Sequence, residues 1–201
     1  MLMNRIMGAL TFKREVYAEV EKDKSFTGTA WAIVAVIALV TQLGTGLAVY
    51  SVNGDLTGML LTAVLGTAFA VGGFALGAVV IAWVGKALFK ADVTFEELVR
   101  TLGLAYVWGA VGAIGALASF VPVLGCVVAP LACIAAIAAL VASFFAVQQA
   151  LGLGTAETLV TVIIGWIATA AVVFVGGAIL GMLGFATSGG LQDMINSFNS
   201  Q

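Results

Sequence analysis

Residues 93–154 decide the fold, and they read VTFEELVRTLGLAYVWGAVGAIGALASFVPVLGCVVAPLACIAAIAALVASFFAVQQALGLG. A polar helix start leads into two apolar segments of membrane-spanning length, which are joined by the short, uncharged link at 120–125. Because a longer apolar run would have to leave the bilayer elsewhere, this link predicts two antiparallel membrane-spanning helices. We therefore expect a helical hairpin in this region, with the rest of the chain packed against it.

The composition of the whole chain supports the same fold class. Of its 201 residues, 62% are hydrophobic and 9% are charged, and the mean hydropathy is +1.17. Repeated apolar runs of about 20 residues indicate transmembrane helices and leave no room for a sizeable water-soluble domain. The sequence predicts an all-α polytopic membrane protein with five transmembrane helices.

The five predicted spans form a transmembrane domain over residues 29–185. Their approximate bounds are 30–50, 59–83, 101–120, 126–150 and 158–185. Thr94 and Glu97 have capping-box spacing and predict the start of the third helix, and Thr155 and Glu157 predict a cap and a first-turn acid for the fifth. Pro130 is expected to bend the fourth helix.

The N-terminal segment, residues 1–28, is the longest polar part of the chain. Its apolar residues recur at helical spacing, which predicts an amphipathic helix lying in the headgroup plane, with Thr11 as a cap for its second part. A solvated, partly ordered entry segment is the alternative. The tail at 186–201 is expected on the outer side because five spans separate it from the N-terminal segment.

The positive charges predict the orientation in the membrane. Five Lys and Arg residues lie in 1–28 and three in 86–100, which accounts for all eight. Positively charged loops stay in the cytoplasm, so both regions are predicted to be cytoplasmic. We expect a cytoplasmic contact face that includes the following charged residues of the second region: Lys86, Lys90, Glu96, Glu97 and Arg100.

A glycine pattern of the form V-G-G-x-x-L-G occurs at 71–77 and again at 175–181. Glycines at this spacing allow the backbone of another helix to approach closely. We predict helix-packing roles for its glycines, which are Gly72, Gly73, Gly77, Gly176, Gly177 and Gly181. The two matches also suit an inverted repeat of the transporter kind, although glycine-rich membrane helices produce such matches by chance.

Catalytic and metal-binding chemistry is absent from the sequence pattern. The chain has no His, and its eight basic and ten acidic residues all lie outside the middle of the predicted spans. Enzymes, proton relays and ion-coupled carriers usually need such groups, so we expect no enzyme, no cofactor and no metal. The net charge of −2 does not indicate a basic surface for binding nucleic acid, so we expect no nucleic-acid partner. Cys126 and Cys133 are read as small packing residues, with lipidation, a contact to another chain and redox chemistry as the alternatives.

A few uncharged polar residues interrupt the predicted spans. Gln42, Gln148 and Gln149 could line a path for a neutral solute, which keeps a small transporter or channel subunit as the alternative function. Hydrogen bonding between packed helices explains the same residues.

Four motifs together resemble the Yip family, membrane proteins named for their interaction with Ypt/Rab GTPases, in its shorter bacterial and archaeal form. They are TFEELVR at 94–100, GLAY at 103–106, VPVLG at 121–125 and AVQQA at 146–150. The longer cytoplasmic domain and the Asp-Leu-Tyr-Gly-Pro motif of eukaryotic members are absent, so GTPase binding does not carry over.

The resemblance implies a non-catalytic integral membrane protein that acts through protein contacts. We expect a scaffold, adaptor or accessory subunit in the cytoplasmic membrane of a prokaryote. Its expected partners are the lipid bilayer and either other membrane proteins or further copies of the chain.

Overall fold

The computed structural model describes residues 2–111 and 122–187, and the secondary structure in these ranges is all helical. The helices are α1 (Leu2–Leu10), α2 (Arg14–Lys22), α3 (Phe26–Asn53), α4 (Leu56–Phe89), α5 (Phe95–Ala105), α6 (Pro122–Leu151) and α7 (Thr155–Thr187). A 3₁₀ turn, Tyr106–Trp108, follows α5. The predicted all-helical class is therefore confirmed.

Four helical segments of the described ranges are long and apolar enough to cross a membrane. They are Phe26–Leu47, Leu56–Phe89, Cys133–Leu151 and Thr155–Leu183. Of the predicted third span at 101–120, residues 101–111 are described and helical, and the rest lie outside the described residues. Residues 122–125 of the predicted link belong to α6, so this part of the prediction is wrong. The five-span topology and the hairpin remain predictions. The predicted tail lies outside as well, except for the two residues that end α7.

Helices α3 and α4 form an antiparallel hairpin with a two-residue link. Gly54 ends α3 with a φ of 65°, and its amide donates to the Tyr50 carbonyl at 2.8 Å. Asp55 then caps α4, since its Oδ1 accepts from the Gly58 amide at 2.9 Å. The start of α3 and the end of α4 consequently lie at the same end of the bundle.

Helix α4 packs on α3, α5 and α7. The five helices form a ring of contacts in the order α3, α4, α7, α6 and α5, with α5 returning to α3. Trp31 of α3 meets Phe74 of α4 edge to face, with ring centroids 5.7 Å apart, and Phe74 meets Tyr106 in the same manner at 5.6 Å. These aromatic contacts join three parts of the chain at the middle of the core.

The N-terminal segment forms two helices rather than one. The chain reverses between them at Phe12, which has a φ of 56° and stacks on Trp108 with ring centroids 5.3 Å apart. Thr11 caps nothing in α2, contrary to expectation, because its hydroxyl donates back to the Met7 carbonyl at 2.8 Å. Tyr17 and other apolar side chains of α2 are buried against the bundle.

The predicted capping box at the start of α5 is confirmed. The Thr94 amide donates to Oε2 of Glu97 at 2.7 Å, and the Glu97 amide donates to Oγ1 of Thr94 at 3.3 Å. At the start of α7 the predicted acid is also confirmed, since Glu157 accepts from the Gly154 amide at 3.0 Å. Gly154 takes the cap position there, so the prediction that Thr155 would be the cap is wrong.

The bend expected at Pro130 stays a prediction, but the structure shows that the helix continues past this residue. This proline lies inside α6, and the helix runs through it without interruption.

Candidate functional site

The glycine pattern of α4 packs closely against α7, and we call this contact between α4 and α7 the seam. Gly77 is opposite Thr169, and a Cβ built on Gly77 would collide with the Thr169 hydroxyl. The same hydroxyl donates to the Gly73 carbonyl of α4 at 3.2 Å and to the Gly165 carbonyl of its own helix at 3.0 Å. Two missing side chains thus allow a hydrogen bond between the helices at membrane depth.

Glycines of α7 complete the seam from the other side. A Cβ built on Gly165 would collide with Ile81, and one built on Gly176 would lie 2.5 Å from the Cγ of Phe69. The pairing of residues 69 with 176 and 77 with 169 shows that α4 and α7 are antiparallel. Gly165 and Thr169 were missed at the sequence level, although their small-x-x-x-small spacing was a readable signal.

The six glycines predicted for helix packing fall into two groups. Gly73, Gly77 and Gly176 lie in the seam between α4 and α7. A Cβ added at Gly72, Gly177 or Gly181 would meet no other atom within 4 Å.

A cleft of about 360 Å³ lies beside the half of the seam that is nearer the turn between α3 and α4. Helix α4 forms its floor, and Gln42 of α3 and Gly177 and Gly181 of α7 lie on its walls. A Cβ built on Gly66 would lie 2.5 Å from Nε2 of Gln42, so the glycine makes room for this amide. Gln148 and Gln149 are at the opposite end of the bundle and do not line the cleft.

A second cavity of about 270 Å³ lies among α4, α5, α6 and α7. Tyr106, Ser143 and Thr169 contribute its hydroxyl groups. Ala70 and Val173 line both this cavity and the cleft, so these two side chains stand between them.

The charged end of the protein is organised by Arg100. This side chain is 3% exposed, and its Nε and Nη2 donate to the Glu21 carbonyl oxygen at 3.0 and 2.5 Å. Its Nη1 donates to the Thr27 hydroxyl at 3.3 Å and lies 3.9 Å from a carboxylate oxygen of Glu96. The guanidinium therefore fastens α2 and the start of α3 to α5, and little of it reaches the surface.

Arg5 fastens the two N-terminal helices to each other. Its guanidinium donates two hydrogen bonds to one oxygen of Glu19, at 3.0 and 2.6 Å, and a third to Asp23 at 2.8 Å. The Ser25 hydroxyl and then the Arg5 guanidinium lower the pKa of Asp23. The same guanidinium lies over the ring of Phe26, 5.2 Å from its centroid.

The other basic residues remain on the surface. In the part of the chain that the structure describes, six exposed cations form no salt bridge, and they are Lys13, Arg14, Lys22, Lys24, Lys86 and Lys90. Arg14 lies over the ring of Phe145 at 4.5 Å. Glu96 is exposed. Glu97 instead accepts a hydrogen bond from the Thr94 amide in the helix cap, and this bond lowers the pKa of Glu97.

Two titratable groups of α2 are desolvated at this end. Burial raises the pKa of Glu21, and the nearby Glu97 carboxylate raises it further. Burial also raises the pKa of Tyr17 to about 12, and its hydroxyl has no hydrogen-bond partner among the described residues. Over the same ranges, no three side chains of the metal-binding types come together.

Comparison with known proteins agrees with the motifs and the fold. The sequence model of the Yip1 domain matches residues 7–177. No curated protein and no solved structure matches the chain significantly. The Yip1 family is not a known enzyme family. With its apolar spans and a match that covers most of its length, the chain is an integral membrane protein that belongs to the Yip1 domain family.

Proposed function

We propose that the protein is a non-catalytic scaffold, adaptor or accessory subunit of a membrane complex. The observation that carries this proposal is the division of the basic residues. Arg5 and Arg100 are used inside the protein to fix α1, α2 and α5 together, whereas the other six cations are exposed and unpaired within the described ranges. A rigid, charged surface of this kind is suited to hold a partner of opposite charge.

The topology proposed for this function follows from the charges and the fold. The N-terminal helices and the 86–100 region lie at the end where α3 begins and α4 ends. We place this end in the cytoplasm and the C-terminus outside, with α1 and α2 at the headgroup level and a fifth span within 101–120. A prokaryotic cytoplasmic membrane is the proposed location.

The proposed contact face consists of its exposed members. Lys86, Lys90 and Glu96 reach solvent, whereas Arg100 is buried and lies 3.9 Å from a carboxylate oxygen of Glu96. Within the membrane, Gly73, Gly77 and Gly176 hold α4 against α7, so Gly72 is the glycine of the pattern in α4 that is left for a helix of another protein or a second copy.

The test is charge neutralisation at the exposed face. The double variant Lys86→Gln/Lys90→Gln should lose most of the partner that co-purifies with the wild type in mild detergent, as quantified by mass spectrometry. The matched control is Lys86→Arg/Lys90→Arg, which keeps both charges and should retain that partner. Retention of every partner by the glutamine variant at wild-type level contradicts the proposal.

A small carrier for neutral solutes is the second candidate, and the observation in its favour is the pair of cavities that meet at Ala70 and Val173. If this candidate is correct, proteoliposomes should swell faster than empty liposomes in isotonic glycerol, and Ala70→Phe should slow the swelling. Equal swelling of loaded and empty liposomes dismisses it.

A further inference from the structure

The cleft between α3 and α7 carries two polar groups that the protein leaves unpartnered. The Gln42 amide lies against Gly66, and Thr62 of α4 lines the same cleft one turn away. Neither side chain makes a hydrogen bond within the described residues, whereas Thr45, also at the cleft, donates to the Thr41 carbonyl at 3.1 Å. Unpaired polar groups are costly at this depth, so a ligand that pairs them would be stabilised.

Glycine creates the space that such a ligand needs. At Gly66 the missing Cβ admits the Gln42 amide, and at Gly177 and Gly181 the missing side chains leave open volume, with no other atom within 4 Å of an added Cβ. The resulting volume of about 360 Å³ lies within the range of about 300–1,000 Å³ that is usual for small-molecule sites. Most of the remaining lining is apolar, including Leu61 and Leu180.

Depth and charge restrict the ligand. Gln42 lies twelve residues before Gly54, or about 18 Å along the helix from the α3–α4 turn. This distance exceeds the half-thickness of about 15 Å of a bilayer core, which places the amide near the middle of the membrane. No charged side chain lines the cleft in the described ranges, so a charged headgroup would have no counter-ion there.

The cleft also has a route of entry from the bilayer. Helices α3 and α7 both pack extensively on α4 but not on each other. Gly177 and Gly181 are exposed on its wall, beside the outward-facing side chain of Ile179.

We propose that this cleft binds an uncharged lipid of the diacylglycerol class. Its hydroxyl and ester oxygens pair with the Gln42 amide and the Thr62 hydroxyl, and its chain covers the apolar lining. The amide can donate to an ester and accept from a hydroxyl, which suits a group that offers both. This site is independent of the partner contacts of the charged end.

The test uses two lipids with identical chains. The purified chain in detergent is titrated with dioctanoylglycerol or with dioctanoyl phosphatidic acid, and bound lipid is measured by native mass spectrometry. One dioctanoylglycerol per chain should bind, at least tenfold more tightly than the phosphorylated lipid. Affinities that differ by less than threefold overturn the proposal.

Three variants assign the binding to this cleft. Gln42→Leu removes the amide at similar volume and should weaken binding about tenfold. Gly177→Leu fills the cleft and should abolish binding, whereas the matched control Gly72→Leu, at a glycine that is equally open but outside the cleft, should leave it unchanged. Gly181→Leu replaces Gly177→Leu if the latter fails to fold. Wild-type affinity in Gln42→Leu or in the cleft-filling variant overturns the proposal.

Discussion

The hydroxyl of Thr169 on α7 donates a hydrogen bond of 3.2 Å to the backbone carbonyl of Gly73 on α4. The two bonded residues are 96 positions apart in the sequence, and the bond joins their helices in the interior of the bundle. It exists because Gly73 and Gly77 present no side chain to Thr169. The stability of the bundle therefore depends on the volume at Gly77 and on the hydroxyl at Thr169, and each can be changed alone.

A larger residue at Gly77 should separate the two helices. In Gly77→Val, the new side chain collides with Thr169, and overpacking of this kind costs about 1–3 kcal/mol. We expect a lower midpoint of thermal unfolding in detergent, measured by the loss of monodisperse protein. Gly72→Val is the control, because a Cβ there meets no atom within 4 Å. Equal midpoints for the two variants would show that the seam does not limit stability.

Removal of the Thr169 hydroxyl at nearly constant volume should cost less. Thr169→Val loses the bond to Gly73, and interhelical hydrogen bonds in membrane proteins contribute about 0.6 kcal/mol on average. The matched control is Thr67→Val, since among the described residues the Thr67 hydroxyl bonds only to the Ala63 carbonyl of its own helix. Chemical unfolding in mixed micelles measures both, and a larger loss in Thr67→Val would contradict the role of the interhelical bond.

Substitution of Arg100 should release the N-terminal helices. Arg100→Gln removes a charge-assisted pair of hydrogen bonds to the Glu21 carbonyl, for which about 1.5–3 kcal/mol is typical. We expect faster amide hydrogen exchange and faster proteolysis in α2, with little change in α4. Lys86→Gln is the control, because Lys86 is exposed on α4 and forms no salt bridge among the described residues. Unchanged exchange in α2 would show that Arg100 does not hold it.

The stability of the charged end should depend on pH through two carboxylates whose pKa values shift in opposite directions, Glu21 of α2 and Glu97 of α5. The pKa of Glu21 is raised in the folded protein, so its contribution to docking is present below its unfolded value of about 4.3 and is lost as the pH rises through the folded pKa. The pKa of Glu97 is lowered, chiefly by the hydrogen bond from the Thr94 amide, so its contribution to the cap of α5 is present above the unfolded value and is lost as the pH falls through the folded pKa.

Glu21→Gln should therefore strengthen the docking of α2 at neutral pH and flatten its pH dependence above about 4.3. Hydrogen exchange in α2, corrected for intrinsic rates, measures this effect. Glu19→Gln is a suitable comparison, because it removes a carboxylate that pairs with Arg5 and should weaken the N-terminal helices instead. Faster exchange in α2 of Glu21→Gln would contradict the destabilising role of the Glu21 charge.

Local signals in the sequence were sufficient for much of the fold. The box formed by Thr94 and Glu97 depends on residues three apart, so spacing alone predicted it. Hydropathy located the apolar helices but not their ends, because it marks the hydrocarbon core. The end of α3 is at Asn53 and the start of α4 is at Leu56, bounds that are set by the Gly54 turn and the Asp55 cap.

Other features depend on contacts that no local pattern contains. Gly72 and Gly73 are adjacent in one motif, yet only the packing of α7 decides that Gly73 lies in the seam. Likewise, the charge of Arg100 indicated a surface residue, whereas its burial depends on the Glu21 carbonyl of another helix. The amphipathic pattern of residues 1–28 could not distinguish a protein surface from a membrane surface, since both bury one apolar stripe.

The bond between Arg100 and Glu21 has a consequence for the making of the protein. Helix α2 leaves the ribosome early, but the side chain that holds it follows 79 residues later. At about 5–20 residues per second, this delay is about 4–16 s. During that time α3 and α4 enter the membrane, whereas α1 and α2 are not yet held by Arg100. In this interval the two N-terminal helices are accessible to chaperones and targeting factors.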